Sequence, residues 1–154
     1  MFPPTPMQRN RRNTPARPST ISTTRGYQRT RADHARELAE DYVELIDDLI
    51  AETGEARAVD IADRLGVSHV TVTKTIARLK RDRMVTAQPY RSIFLTPAGK
   101  KLAELARKRH ALVLAFLLKL GVPKKDAEAD AEGIEHHISP GTLNAMKRFC
   151  KRSR

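Results

Sequence analysis

Cysteine is almost absent, with Cys150 the only one in 154 residues. This excludes an internal disulfide framework and a cysteine-rich zinc motif, so any metal would be held by oxygen and nitrogen donors. A reducing cytoplasm is the natural compartment, and Cys150, beside a basic C-terminal tail, reads as a bystander thiol. Long apolar runs are also missing. The best one, Ala111 to Leu118, is followed by Lys119 and falls far short of the ~20 residues that span a bilayer, so no membrane partner is expected. Acidic residues are absent before Asp33, where Pro3, Pro4, Pro6, Pro15 and Pro18 stand among Ser, Thr and Arg. Such a stretch cannot bury enough apolar surface to order itself. Residues 1–32 are therefore expected to form a disordered basic arm that adds non-specific attraction to DNA, although an acid-free, Arg-rich leader also resembles an organelle transit peptide.

What the chain does have is positive charge, +11 overall, which suggests a polyanionic partner, most often nucleic acid. From Asp33 to about Glu52, Leu38, Tyr42, Leu45, Ile46, Leu49 and Ile50 recur at helical spacing, and Gly54 closes the pattern. A short helix from Val59 ends at Gly66, and Ser68 caps a second from His69 to about Arg83. Two helices about a short Gly-containing turn form a helix-turn-helix. In the second, Val72, Ile76 and Leu79 make an inward stripe, leaving Thr71, Lys74, Thr75 and Arg78 outside it for a major groove and its phosphates. Ser68, His69 and Thr73 complete the expected DNA-contacting set on this helix. Met84 to Ala87 and Ile93 to Leu95 read as two strands about a turn, a wing with Arg91 at its tip facing DNA. Residues 33–96 are thus expected to be a winged helix-turn-helix domain.

Residues 97–154 read as helical. Thr96-Pro97 is a cap and first-turn proline for a helix from about Ala98 to Leu120, stopped by Gly121-Val122-Pro123. Its second half, Leu112, Val113, Leu114, Phe116, Leu117 and Leu118, carries more apolar surface than one small domain needs, which predicts a homodimer interface. A further helix carries Asp130-Ala-Glu-Gly-Ile-Glu-His-His-Ile138, and Ser139-Pro140 opens a last one from Gly141 to about Lys151. The fold class is mainly α, with a small two-stranded wing. No long linker intervenes, so both parts share the Ala98 helix.

On a helix, Glu132, Glu135 and His136 stand at i, i+3 and i+4 and converge on one face. Close carboxylates repel one another unless a cation lies between them, which points to a divalent metal. Asp41 and Glu44 form a second i, i+3 carboxylate pair, alone best read as a solvated face, and His110 alone reads as a core histidine. A compact fold that joins the three signals places four carboxylates and two imidazoles together, enough for two divalent ions bridged by a carboxylate.

Asp41-Tyr-Val-Glu44, Val72-Thr73-Lys74 within the helix-turn-helix, Tyr90-Arg91, Arg109-His110 and Asp130 to His137 together resemble the manganese-responsive branch of the diphtheria-toxin-repressor family. The resemblance covers about Glu37 to Phe149. It implies a homodimeric, manganese-activated transcriptional repressor of manganese-homeostasis genes that binds double-stranded, palindromic operator DNA in the cytoplasm, with no small-molecule substrate and no catalysis. It makes Asp41, Glu44, His110, Glu132, Glu135 and His136 the metal ligands, holding two Mn²⁺ per subunit, and leaves His137 outside them. Fe²⁺, Co²⁺ or Zn²⁺ could also bind in vitro. Iron-responsive relatives place sulfur-containing ligands where Asp41 and Glu132 stand, and an iron-responsive regulator is the alternative within the family. Ser92 stands at the wing turn where relatives commonly have Gly, and the arm lies outside the resemblance. A di-metal enzyme is the alternative from another class. It lacks the paired Glu-x-x-His repeats of di-iron bundles and gives the basic helix-turn-helix no purpose.

Overall fold

The computed structural model describes residues 20–88 and 91–152, with side chains from Arg31 onward. Among the described residues six α-helices and a two-stranded sheet follow in the order α1 (Thr20–Thr53), α2 (Ala58–Leu65), α3 (His69–Arg81), β1 (Val85–Thr86), β2 (Phe94–Leu95), α4 (Pro97–Lys119), α5 (Lys124–Ile134) and α6 (Pro140–Lys151), with a 3₁₀ turn at Glu135–His137. The expectation of a disordered arm through residue 32 is corrected at its end, because residues 20–32 continue α1. After Pro18 no proline occurs until Pro89, so nothing in the sequence breaks the backbone ladder. Residues 1–19 lie outside the described residues.

The apolar stripe of α1 (Tyr42, Val43, Ile46 and Leu49) packs on Ile61 of α2, Val72, Ile76 and Leu79 of α3, and Val85, Ile93 and Leu95 of the wing. Gly66, at φ +64°, turns the chain between α2 and α3 in the left-handed region that glycine adopts without strain. The Ser68 hydroxyl then accepts from the Thr71 amide and caps α3. In the wing, Val85 pairs with Leu95 and Thr86 with Phe94, antiparallel, and Ile93 bridges to Ala56 before α2. The wing tip, Pro89-Tyr90, lies outside the described residues.

Thr96 caps α4 by accepting from the Gly99 amide, as its sequence predicts. A Cβ at Gly99 would lie 2.1 Å from the Met84 carbonyl oxygen, so glycine here lets α4 seat directly on the entry to β1. Farther along, α5 lies against α4 through Ala127 and Ala131, small residues one turn apart and fully buried. Phe116 of α4 meets Phe149 of α6 edge-on, with ring centroids 5.3 Å apart. Leu105, Leu118, Leu120, Ile134 and Phe149 remain exposed, and α6 buries no residue fully. Among the described residues no helix is long and apolar enough to cross a membrane.

The helix expected to run through Ile138 tightens instead at Glu135 into the 3₁₀ turn. Ser139 precedes a proline, which disfavours α geometry there, and 3₁₀ turns commonly end such helices. Ser139 caps α6 through the Thr142 amide.

Candidate metal centre and nucleic-acid interface

Four elements bring the six predicted donors to one place. Asp41 and Glu44 project from α1, His110 from α4, Glu132 from the end of α5, and Glu135 and His136 from the 3₁₀ turn. The His110 Nδ1 lies 2.6 Å from Glu135 Oε2 and 3.7 Å from Glu132 Oε1. One donor atom from each of these three residues falls within 4.8 Å of the others. The His136 Nε2 is 3.3 Å from Asp41 Oδ1 and 3.5 Å from Glu135 Oε1. Glu135 therefore stands between the two imidazoles and turns one oxygen to each. Glu44 joins Asp41, His110, Glu132 and Glu135 in the wall of a cavity of about 400 Å³.

The base of this cluster is dry and its rim is wet. Glu135 and His136 side chains are 3% and 4% exposed, whereas Glu132 is 73% exposed. Burial accordingly dominates the electrostatics. Glu44 is pushed up to about 7 by desolvation first and by the Glu135 carboxylate second, with Arg107 opposing. Asp41 is raised by desolvation, partly offset by His136 and reinforced by Glu37, Glu132 and Glu40. Glu135 is raised by desolvation, with the two imidazoles opposing. Crowded, partly dehydrated carboxyls that resist ionisation gain most from a cation placed among them. The donor set fits a divalent ion that prefers oxygen and imidazole nitrogen, because no sulfur lines the cavity.

Several residues here were not singled out from the sequence. Arg107 donates to Asp47 Oδ2 at 2.6 Å, to Asp48 Oδ1 at 2.5 Å and to the Glu44 carbonyl at 3.4 Å, tying α4 to α1 beside the cavity. Glu40 is 2% exposed and accepts from Arg109, and its Oε2 lies 2.8 Å from His136 Nδ1. Arg36 donates to the His136 carbonyl at 2.8 Å. Arg109 enters the sequence reading only as part of the Arg109-His110 motif, and Glu40 only as the neighbour of Asp41. His137 lies outside the cavity, half exposed, with Nε2 3.8 Å from Glu37.

On the face of α3 expected to meet DNA, His69, Thr71, Thr73 and Lys74 are exposed along the first half of the helix. Ser68 is used as the cap, and its hydroxyl also meets that of Thr71 at 2.9 Å. Arg57, His69, Thr73, Lys80, Gln88 and Arg91 line a groove of about 590 Å³ between α3 and the wing. Two expected outward residues are not so placed. Thr75 is 7% exposed and donates to the Thr71 carbonyl, because position 75 is three residues from Val72 and four from Leu79 and so shares their inner face. Arg78 is half-buried and turns back to donate to the Ala35 carbonyl of α1 at 3.3 Å. Ser92, where a glycine was noted as usual, donates to the Glu55 carboxylate and so ties the wing turn to the loop before α2.

Residues 35–93 match the family described as iron dependent repressor, N-terminal DNA binding domain. Residues 96–154 match its companion, iron dependent repressor, metal binding and dimerisation domain. The chain is 52% identical over 126 residues to the transcriptional regulator MntR of Salmonella typhimurium, covering 82% of this chain and 80% of that protein. It is 44% identical over 110 residues to the HTH-type transcriptional regulator MntR of Geobacillus thermodenitrificans, covering 71% and 76% respectively. A solved manganese-dependent transcriptional repressor complex with manganese superposes with a TM-score of 0.62 at 26% identity, over 73% of this chain and 52% of that one. The chain thus spans about half the length of that solved repressor.

Proposed function

Since the chain belongs to the iron-dependent repressor family of metal-dependent, DNA-binding transcriptional regulators, we propose that it is a manganese-activated repressor of manganese-homeostasis genes. Membership makes it a regulator rather than an enzyme, and the companion domain makes it a homodimer that binds DNA. The observation that carries the finer reading is that the donor cluster crosses the domain boundary. Asp41 and Glu44 belong to the helix at the centre of the DNA-binding core, while His110, Glu132, Glu135 and His136 belong to the dimerising part.

These six donors would hold divalent ions, whose positive charge would cancel repulsion between the four carboxylates. The position of Glu135 between His110 and His136, with one oxygen toward each, supports two ions per subunit. The sulfur-free lining supports manganese over a sulfur-ligated iron site. Without cancellation, Asp41 and Glu44 push away from Glu132 and Glu135, and α1 holds the dimerising part less firmly. With it, the two winged helices of a dimer keep a fixed separation, suited to half-sites one DNA turn apart, ~34 Å, on a palindromic operator. His69, Thr71, Thr73, Lys74 and Arg91 would face the DNA, with Ser68 capping the start of α3 and Arg78 tying the helix to α1. The site of action is the cytoplasm.

Titration of duplex DNA, selected from a random pool by the Mn²⁺-loaded protein, tests this. Affinity should rise ~5- to 150-fold with Mn²⁺, the usual range of allosteric coupling. Equal affinity with and without the ion would sink the proposal. Glu135→Ala should abolish the response while leaving salt-dependent non-specific binding intact.

A further inference from the structure

Glu40 is a buried acid without a place among the six donors, yet it touches more of the site than any solvated neighbour would. It sits one residue before Asp41 on α1, with its side chain 3% exposed. The same oxygen, Oε2, accepts from the Arg109 guanidinium of α4 and lies 2.8 Å from Nδ1 of His136. Arg36, one helical turn earlier, fixes the backbone of His136 through its carbonyl. Both the ring and the main chain of His136 are thus gripped from α1.

A neutral imidazole carries one N–H and one lone pair, and the partner of one nitrogen decides the role of the other. A carboxylate oxygen already receiving a guanidinium N–H offers only acceptor capacity to Nδ1. Nε2 also faces carboxylates, Asp41 Oδ1 at 3.3 Å and Glu135 Oε1 at 3.5 Å, but only Nδ1 makes a hydrogen bond, at 2.8 Å to Glu40. The proton therefore resides on Nδ1, and the Nε2 lone pair is directed at the space shared by those two oxygens. We propose that Glu40, backed by Arg109, is the positioning residue that holds His136 in the Nδ1–H tautomer and aims Nε2 into the metal centre. Arg109 supplies a counter-charge that offsets part of the negative charge Glu40 brings beside the cluster. A hydrogen-bonded carboxylate behind a ligating imidazole also strengthens its donation. Because Glu40 lies on α1, the orientation of a ligand in the dimerising part is set from the DNA-binding part.

The inference rests on His136 being a ligand, and the test separates the two. In the full-length, metal-free protein labelled with ¹⁵N in its histidines, long-range ¹H–¹⁵N spectra at mildly alkaline pH should show His136 as the Nδ1–H tautomer. An Nε2–H form in the parent protein overturns the proposal whether or not any variant folds. Binding of Mn²⁺, followed by electron paramagnetic resonance, should weaken ~10- to 100-fold in Glu40→Ala, with the tautomer preference lost. Glu40→Gln, whose amide oxygen still accepts from Nδ1, should keep the tautomer and recover most of the affinity. Parent-like affinity and tautomer in Glu40→Ala would reduce Glu40 to a structural ion-pair member. His136→Ala serves as the control: if it binds Mn²⁺ as the parent does, the ligand assignment itself fails, and if it alone is weakened, only the role of Glu40 fails.

Discussion

Replacing Glu44 by Gln should flatten the pH dependence of Mn²⁺ affinity between pH 6 and 8. In the metal-free protein this carboxyl is pushed up to about 7, chiefly because α1 and α4 keep water from it and Glu135 lies opposite. A ligand carboxylate must give up its proton before it coordinates, so affinity falls by the ratio of total to ionised carboxyl. For a midpoint of about 7 that factor is roughly 1.1 at pH 8, 2 at pH 7 and 11 at pH 6, so Glu44 alone should weaken Mn²⁺ binding about tenfold across this window. Imidazole ligands titrate in the same region, so the informative quantity is the difference between parent and variant. Calorimetry in two buffers of different ionisation enthalpy would count the protons released at pH 6. The parent should release close to one more than Glu44→Gln. Equal proton release, with parallel pH profiles, would refute the argument that Glu44 is held protonated by burial and coordinates once ionised.

The same shift predicts how the metal-free fold responds to acid. Because the folded-state value lies above the unfolded 4.5, this group's stabilisation is fully present below about pH 4.5 and is lost as pH rises through about 7. Urea denaturation of the parent should lose ~1–2 kcal/mol more than Glu44→Gln over that range, a figure reduced for solvent at the cavity mouth. Gly99→Ala, which brings a methyl onto the Met84 carbonyl, should destabilise the fold by about 3 kcal/mol in the same assay; a neutral effect would deny the close seating of α4. Lys74→Ala should weaken binding to specific and random duplexes alike and lower the salt slope of log affinity by about one, whereas a loss confined to one sequence would mean base contact.

The fold was legible where local chemistry decides it. Ser68, Thr96 and Ser139 each cap the helix they precede, and Gly54, Gly66 and Gly121 each adopt the positive φ that ends one. Five of the six clustered donors were legible for a related reason: the spacings within Asp41-Glu44 and within Glu132-Glu135-His136 already keep each pair or triplet within about one turn of chain. What escaped was set by distant partners. Nothing in the spacing of Glu40 distinguishes it from a solvated acid, because the groups that make its burial tolerable, Arg109 and His136, lie far along the chain. Arg78 similarly reads as an outward cation until α1 offers its Ala35 carbonyl. The helical period alone places Thr75 on the inner face with Val72 and Leu79, and its hydroxyl is accommodated there by the Thr71 carbonyl.

The seating of Gly99 on Met84 gives α4 a fixed zero from which angles and lengths can be measured. From there to His110 the helix rises about 16 Å at roughly 1.5 Å per residue, with no joint between. Helix α4 is therefore a gauge block, setting both the span and the rotational phase between the wing at one end and the donor cluster at the other. A single residue inserted into it would swing His110 by about 100°, away from Glu135, while leaving every side chain of the cluster chemically intact. An insertion of seven residues, close to two whole turns, would restore the bearing but lift the histidine about 10 Å along the axis. The length of this helix is as much a part of the site as the residues that line it.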